Sequence, residues 1–414
     1  MSPHNLLVTT ICDELKLATN FRSKVIGIAL KDRAGILPAG HSANAAYWYD
    51  NTNGNWITSS YYMNDLPKWV NGFNAQKWVD KYYQQGWNTL YPLNSYIQST
   101  EDEKPYEVKA FGPAAKGFPY DLKNFVGKNY TIISTTPYGN TLTAEFAKAA
   151  VINEQLGSDE ITDFLAISFS SPDYIGHSFG PNSVEEEDNY LWLDKELASL
   201  MDFLDTKIGK DQYLLFLSAD HGVAHVPNFL KEHSIPAGAA DLGSMSGAIN
   251  TMLKNKYGTN GLVIGIYNSQ VCLNRSGIDS AHLNVEEIKR MIIDFLVTQP
   301  SVARAFDINK LSETTLNEKI KNMLANGYYP MRGGDIQIIL KPQYLEYFTN
   351  GGTTHGVWNP YDAHIPLLWY GWGVKQGKLN RETYMTDIAS TLAALLHVQM
   401  PSGCVGKVIT EVMK

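Results

Sequence analysis

At 414 residues the chain can hold one large domain with an insertion, or two domains. Its 44% hydrophobic and 18% charged residues are ordinary for a globular protein, and a net charge of -8 offers no basic surface for nucleic acid or an anionic membrane. No run approaches the roughly 18 apolar residues of a membrane span, residues 1–21 lack the basic-then-apolar pattern of a signal peptide, and Cys12, Cys272 and Cys404 are too scattered for a disulfide framework or a thiolate zinc site.

Apolar residues at Leu6, Leu7, Ile11, Leu15 and Leu17 predict a helix over 6–21. Residues 24–30 (KVIGIAL) read as a short buried strand that runs into Lys31, Asp32 and Arg33. A point charge and a planar guanidinium at a strand end suit an anion. A solvated turn with local ion pairs is the alternative, and the triplet by itself favours the turn. A hairpin is expected about Asn53-Gly54, a helix over 66–86 with Trp69, Phe73, Trp78 and Tyr82 near one face, and a loop over 104–129. Many of the 24 Tyr and 9 Trp fall between 47 and 106, where they would line a cleft or, more commonly, fill a core.

A helix is expected over 140–156, stopped at Gly157. Residues 164–169 (FLAISF) read as a second buried strand, ending in a polar loop, SSPDYIGHSFGP, that carries Asp173 and His177. A long amphipathic helix over 184–208 leads to a third strand, YLLFL, at 213–217. Strand, loop, helix and strand predict a right-handed crossover with Asp173 and Asp220 at one edge of the sheet. From 241 to 343 the pattern becomes that of a self-contained α+β insertion, so the main domain would comprise 1–240 and 344–414. A return strand at 365–370 and a last helix at 385–396 complete it. There is no internal repeat.

The organising stretch is YLLFLSADHGV at 213–223. Asp220 and His221 stand at the carboxyl end of a core strand, where open α/β sheets bind ligands. On a regular strand their side chains would face opposite ways and reach two metal ions; a capping Asp beside a core His is the plainer alternative. With ten histidines in the chain, an Asp-x-x-x-His such as Asp173/His177 arises about once by chance, so its position at a strand end is what gives it weight. His355 follows Gly-Gly-Thr-Thr and precedes Gly356, on a tightly turning backbone. Carboxylates and imidazoles without thiolates suit catalytic zinc, and two such ions would clamp a phosphoryl transfer.

The series SPDYIGHSFGP, SADHGV and TTHGVWNPYDAHIPLL, in this order, closely resembles the alkaline phosphatase superfamily. It is most similar to the phosphate-irrepressible bacterial alkaline phosphatases, relatives of the nucleotide pyrophosphatase/phosphodiesterases. The resemblance implies an α/β fold, an alkaline-phosphatase-like sandwich of a mostly parallel sheet between helices with an α+β insertion. It implies two Zn2+ ions, one held by Asp173, His177 and His355, the other by Asp220 and His221. It also turns Lys31 and Arg33 into phosphate contacts, overriding the solvated-turn reading. The implied activity is hydrolysis of phosphate monoesters, in the periplasm or outside the cell. The family's first strand, an Asp of the second zinc site, a Thr or Ser nucleophile and an Asn would all precede Lys31; Thr9, Thr10 and Asp13 do not match them. The expectation is therefore a member that lacks its first quarter and the nucleophile, with an incomplete second zinc site. Two alternatives accompany it, a phosphodiesterase/nucleotide pyrophosphatase and a non-catalytic zinc-binding fragment.

Overall fold

Thr10 and Asp13 form a reciprocal capping box, so the first helix, α1 (Ile11–Ala18), starts at residue 11 rather than 6. The computed structural model describes residues 1–346 and 351–414. Two units are distinguished, Met1–Asp220 with Ile365–Lys414, and His221–His364.

In the first unit β1 (Val25–Ala29) is buried along its whole length. It is followed by α2 (Asp32–Ala39), β2 (Ala45–Asp50) and β3 (Asn55–Ile57). The expected hairpin joins β2 to β3. The helix expected over 66–86 is two, α3 (Lys68–Asn74) and α4 (Trp78–Gln85), broken where Lys77 adopts a left-handed φ of 51°. Next come α5 (Tyr138–Asn153), β4 (Phe164–Ser168), α6 (Ser171–Phe179), α7 (Val184–Leu204) and β5 (Leu214–Ser218). The sheet order is β3-β2-β1-β4, with β1 parallel to both β2 and β4. A strand covered on both faces and both edges needs apolar residues throughout, which is why VIGIA shows no alternation. The aromatic residues pack the core. Trp56 and Phe146 stack at 4.2 Å, with Tyr47, Phe73 and Trp69 around them.

The second unit holds α8 (Pro227–Glu232), β6 (Gly238–Ala240), α9 (Leu242–Tyr257), β7 (Val263–Tyr267), β8 (Gln270–Leu273), α10 (Arg275–Ser280), α11 (Val285–Leu296), β9 (Val302–Asp307), α12 (Glu318–Gly327), β10 (Ile336–Leu340), β11 (Tyr344–Glu346) and α13 (Pro360–Ala363). An antiparallel sheet in the order β7-β8-β10-β9 shares a core with α9 and α11, where Ile249, Leu253, Ile288 and Ile292 are fully buried. This is the α+β part of the fold.

The chain returns to the first unit with β12 (Leu367–Gly371) and α14 (Thr386–Leu396). β12 pairs antiparallel with β5, opposing Leu367 to Ser218. Among the described residues β12 is the ladder partner of β5, and the two strands of the expected crossover, β4 and β5, are not hydrogen-bonded to each other. Apolar runs mark strands but not their partners. Among the described residues no helix is long and apolar enough to cross a membrane.

One contact fixes α2 on β1. A Cβ on Gly27 would lie 1.9 Å from the Gly35 carbonyl oxygen, so strand and helix meet backbone to backbone. Gly27→Ala should lower unfolding free energy by about 1–3 kcal/mol in urea titrations. Gly35→Ala, whose nearest contact would be 3.1 Å, should cost less because alanine favours the helix.

Candidate active site

Lys31 leaves the end of β1 and caps α2, and Asp173 stands in the first turn of α6, just beyond β4. β1 and β4 run parallel with Ala29 opposite Ser168, so their carboxyl ends adjoin. Lys31 Nζ forms an ion pair with Asp173 Oδ2. The other oxygen, Oδ1, lies 3.2 Å from His177 Nε2. One carboxylate thus serves an ammonium and an imidazole. Lys31 Nζ also lies 4.7 Å from the centre of the Tyr174 ring.

The segment expected to be a loop here is a helix. Pro172 sits in its first turn, where its missing N–H does no harm, and Gly180 ends it at φ 88°. The i,i+4 spacing then puts Asp173 and His177 on one face. Arg33 is exposed in the first turn of α2 and has no ion pair among the described residues. Asp220 is exposed just past β5 and His221 follows it, so strand alternation does not orient that pair.

Behind α6, the start of α7 carries buried acids. Burial, with the charge of Asp173 added, pushes the Glu186 carboxyl well above its usual range. Burial and the charge of Glu107 push Glu185 up to about 8. Tyr120 donates to Glu185 Oε1, while Oε2 is buried without a hydrogen-bond partner. Glu107 is raised to about 7, chiefly by burial.

The second unit assembles its own group. The rings of His221 and His355 stack at 3.4 Å and 14°. His221, His355 and Asp362 each offer a ligand atom, all within 4.8 Å of one another. The loops that carry them are tied together. Gly222 N–H donates to the Asp362 carbonyl at 2.6 Å, and Thr353 Oγ1 donates to the Ala224 carbonyl at 2.9 Å. A Cβ at Gly222 would come within 2.4 Å of the Tyr361 carbonyl oxygen, so the chain leaving His221 needs glycine there. His221 Nδ1 lies 2.8 Å from the Gly222 carbonyl, which can only accept. Nδ1 therefore carries a proton. Two imidazoles beside a buried carboxylate with an unpartnered oxygen make a donor set that fits a divalent cation such as zinc. Asp362 is the residue that sequence reasoning missed. It lies within the TTHGVWNPYDAH motif, but nothing local shows that it folds back on His355.

A family model described as type I phosphodiesterase / nucleotide pyrophosphatase matches residues 13–362. The chain belongs to this family. Alkaline phosphatase PhoV of Synechococcus elongatus is 50% identical over 414 residues, covering 100% of this chain and 74% of the relative. Alkaline phosphatase PafA of Elizabethkingia meningoseptica is 47% identical, covering 100% of this chain and 76% of the relative. A crystal structure of wild-type PafA matches with a TM-score of 0.97 and 47% identity, over 100% of this chain and 79% of that one. The resemblance carried by the three motifs and the α/β fold it implied both hold.

The buried acids give this family member a pH signature. Between the ordinary carboxyl range and about 8, Glu185 stays protonated when folded and ionises when unfolded. Stability from this group therefore falls as pH rises through that window, by about 1.4 kcal/mol per pH unit. Glu185→Gln, measured by urea unfolding at stepped pH, should gain on the parent steadily from pH 5 to pH 8.

Proposed function

We propose that the chain is an alkaline-phosphatase-type phosphomonoesterase that works with two zinc ions. The reading is carried by Lys31 and Arg33, which leave one strand end beside Asp173 and His177, at the next strand end. It draws further support from two alkaline phosphatases at 50% and 47% identity. In this proposal Asp173, His177 and His355 hold one ion, and Asp220 and His221 are ligands of the other. Bound zinc would supply Lewis-acid stabilisation of phosphoryl oxygens.

The chain's own residues account for the rest. Lys31 and Arg33 present two cations to the non-bridging oxygens of a phosphate dianion, with the Arg33 guanidinium able to engage two of them at once. Asp173 holds the Lys31 ammonium at the mouth of β1, so the charge is already oriented when an anion arrives. A periplasmic or secreted location follows the same resemblance.

The family's own description supports a second reading, a phosphodiesterase or nucleotide pyrophosphatase. A diester has one negative charge and an ester group in place of a free oxygen, so it satisfies two cations less well. The rates of 4-nitrophenyl phosphate and bis(4-nitrophenyl) phosphate hydrolysis by zinc-loaded protein separate the two. The monoester should be favoured in kcat/KM, and a diester preference would reject the proposal. Lys31→Ala should weaken inorganic phosphate binding roughly 10- to 100-fold in calorimetry with zinc loaded, the loss of one charge-assisted contact. Equal binding by variant and parent would remove Lys31 from the site.

A further inference from the structure

Asp362 belongs to neither of the two zinc ligand sets of the proposed function, although it lies within reach of a ligand atom of His221 and of His355. Its side chain is 2% exposed, and its two oxygens differ sharply in their surroundings. Oδ2 accepts the backbone amides of Gly356 at 2.6 Å and Val357 at 2.8 Å, the two residues that follow His355. Oδ1 is buried and has no hydrogen-bond partner. A buried carboxylate oxygen left unpaired is costly, and the usual remedy is a nearby N–H. Two imidazoles stand within 4.8 Å of this carboxylate. The Nδ1 proton of His221 is already directed at the Gly222 carbonyl. His355 is the ring attached to the turn that Asp362 grips.

We propose that Asp362 is a positioning residue for His355. Through Oδ2 it fixes the turn after His355, and through Oδ1 it accepts an imidazole N–H. The other ring nitrogen is then left to present its lone pair to the metal. A carboxylate in this place fixes the tautomer and raises the basicity of the ligand. The main chain of Asp362 also accepts from Gly222, so one residue ties together the backbones beside both imidazoles. The proposal rests on His355 being a zinc ligand.

Asp362→Asn separates the two roles. Its carbonyl oxygen can still accept the Gly356 and Val357 amides, but an NH2 group replaces the acceptor beside the ring. The zinc-free variant should melt within a few degrees of the parent. Its zinc affinity, measured by competition with a chromophoric chelator, should fall roughly 10- to 100-fold. Unchanged zinc affinity would overturn the proposal and leave Asp362 as a clamp on the turn. His355→Ala, in the same titration, tests the underlying reading separately. If it binds zinc as tightly as the parent, His355 is not a ligand and the proposal falls with it. A further measurement needs only the parent fold. In zinc-loaded protein labelled with 15N-histidine, assigned by difference from the His355→Ala spectrum, the His355 N–H should resonate downfield and exchange slowly. A rapidly exchanging N–H would also overturn the proposal.

Discussion

The parallel register of β1 against β4 is the constraint on which the first unit's site depends. With Ala29 opposite Ser168, the two chains leave the sheet side by side, one into Lys31 and the other into α6. Asp173 then meets a lysine that is 142 residues away in sequence. A slip of one residue would turn every side chain of β4 over and separate the pair. The bare backbones of Gly27 and Gly35 hold α2 against β1, so the cap position of Lys31 is set by main-chain packing rather than by its own side chain.

Charge around Asp173 is managed by burial. Glu185 and Glu186 open α7 behind it, where two more carboxylates would ordinarily add negative charge. Desolvation holds both carboxyls well above their normal range, so they remain largely neutral at neutral pH. Asp173, in front of them, is the acid that pairs with Lys31. Buried acids of this kind reduce stability in exchange for a defined field at a site, a pattern common where chemistry is done.

In the second unit, backbone hydrogen bonds bring two short loops together, and the imidazoles follow. Gly222, Thr353 and Asp362 make the ties, while His221 and His355 occupy the space between them. Membership of the type I phosphodiesterase/nucleotide pyrophosphatase family gives these loops a chemical context. Their geometry stands without it, as two nitrogen donors and a carboxylate in one small volume.

Strand and helix identities, the α+β character of the insertion and the family were legible in the chain itself. VIGIA, FLAIS and LLFLS are apolar runs of strand length, and the SADHGV and TTHGVWNP motifs are specific in their order. Local backbone conformation and contacts between distant residues decided the rest. Lys77 breaks a helix through its backbone conformation, Thr10 and Asp13 shorten another, and the polar segment around Asp173, which reads as a loop, is a nine-residue helix. The partner of β5 proved to be β12, because an apolar run says that a strand is buried and nothing about which edge it meets. Asp362 was invisible for the same reason: its carboxylate matters only because the turn after His355 folds back onto it. Sequence alone determined which donors this protein owns, since side-chain chemistry is local; which of them share a partner was decided by the tertiary structure, since hydrogen bonds and burial depend on distance.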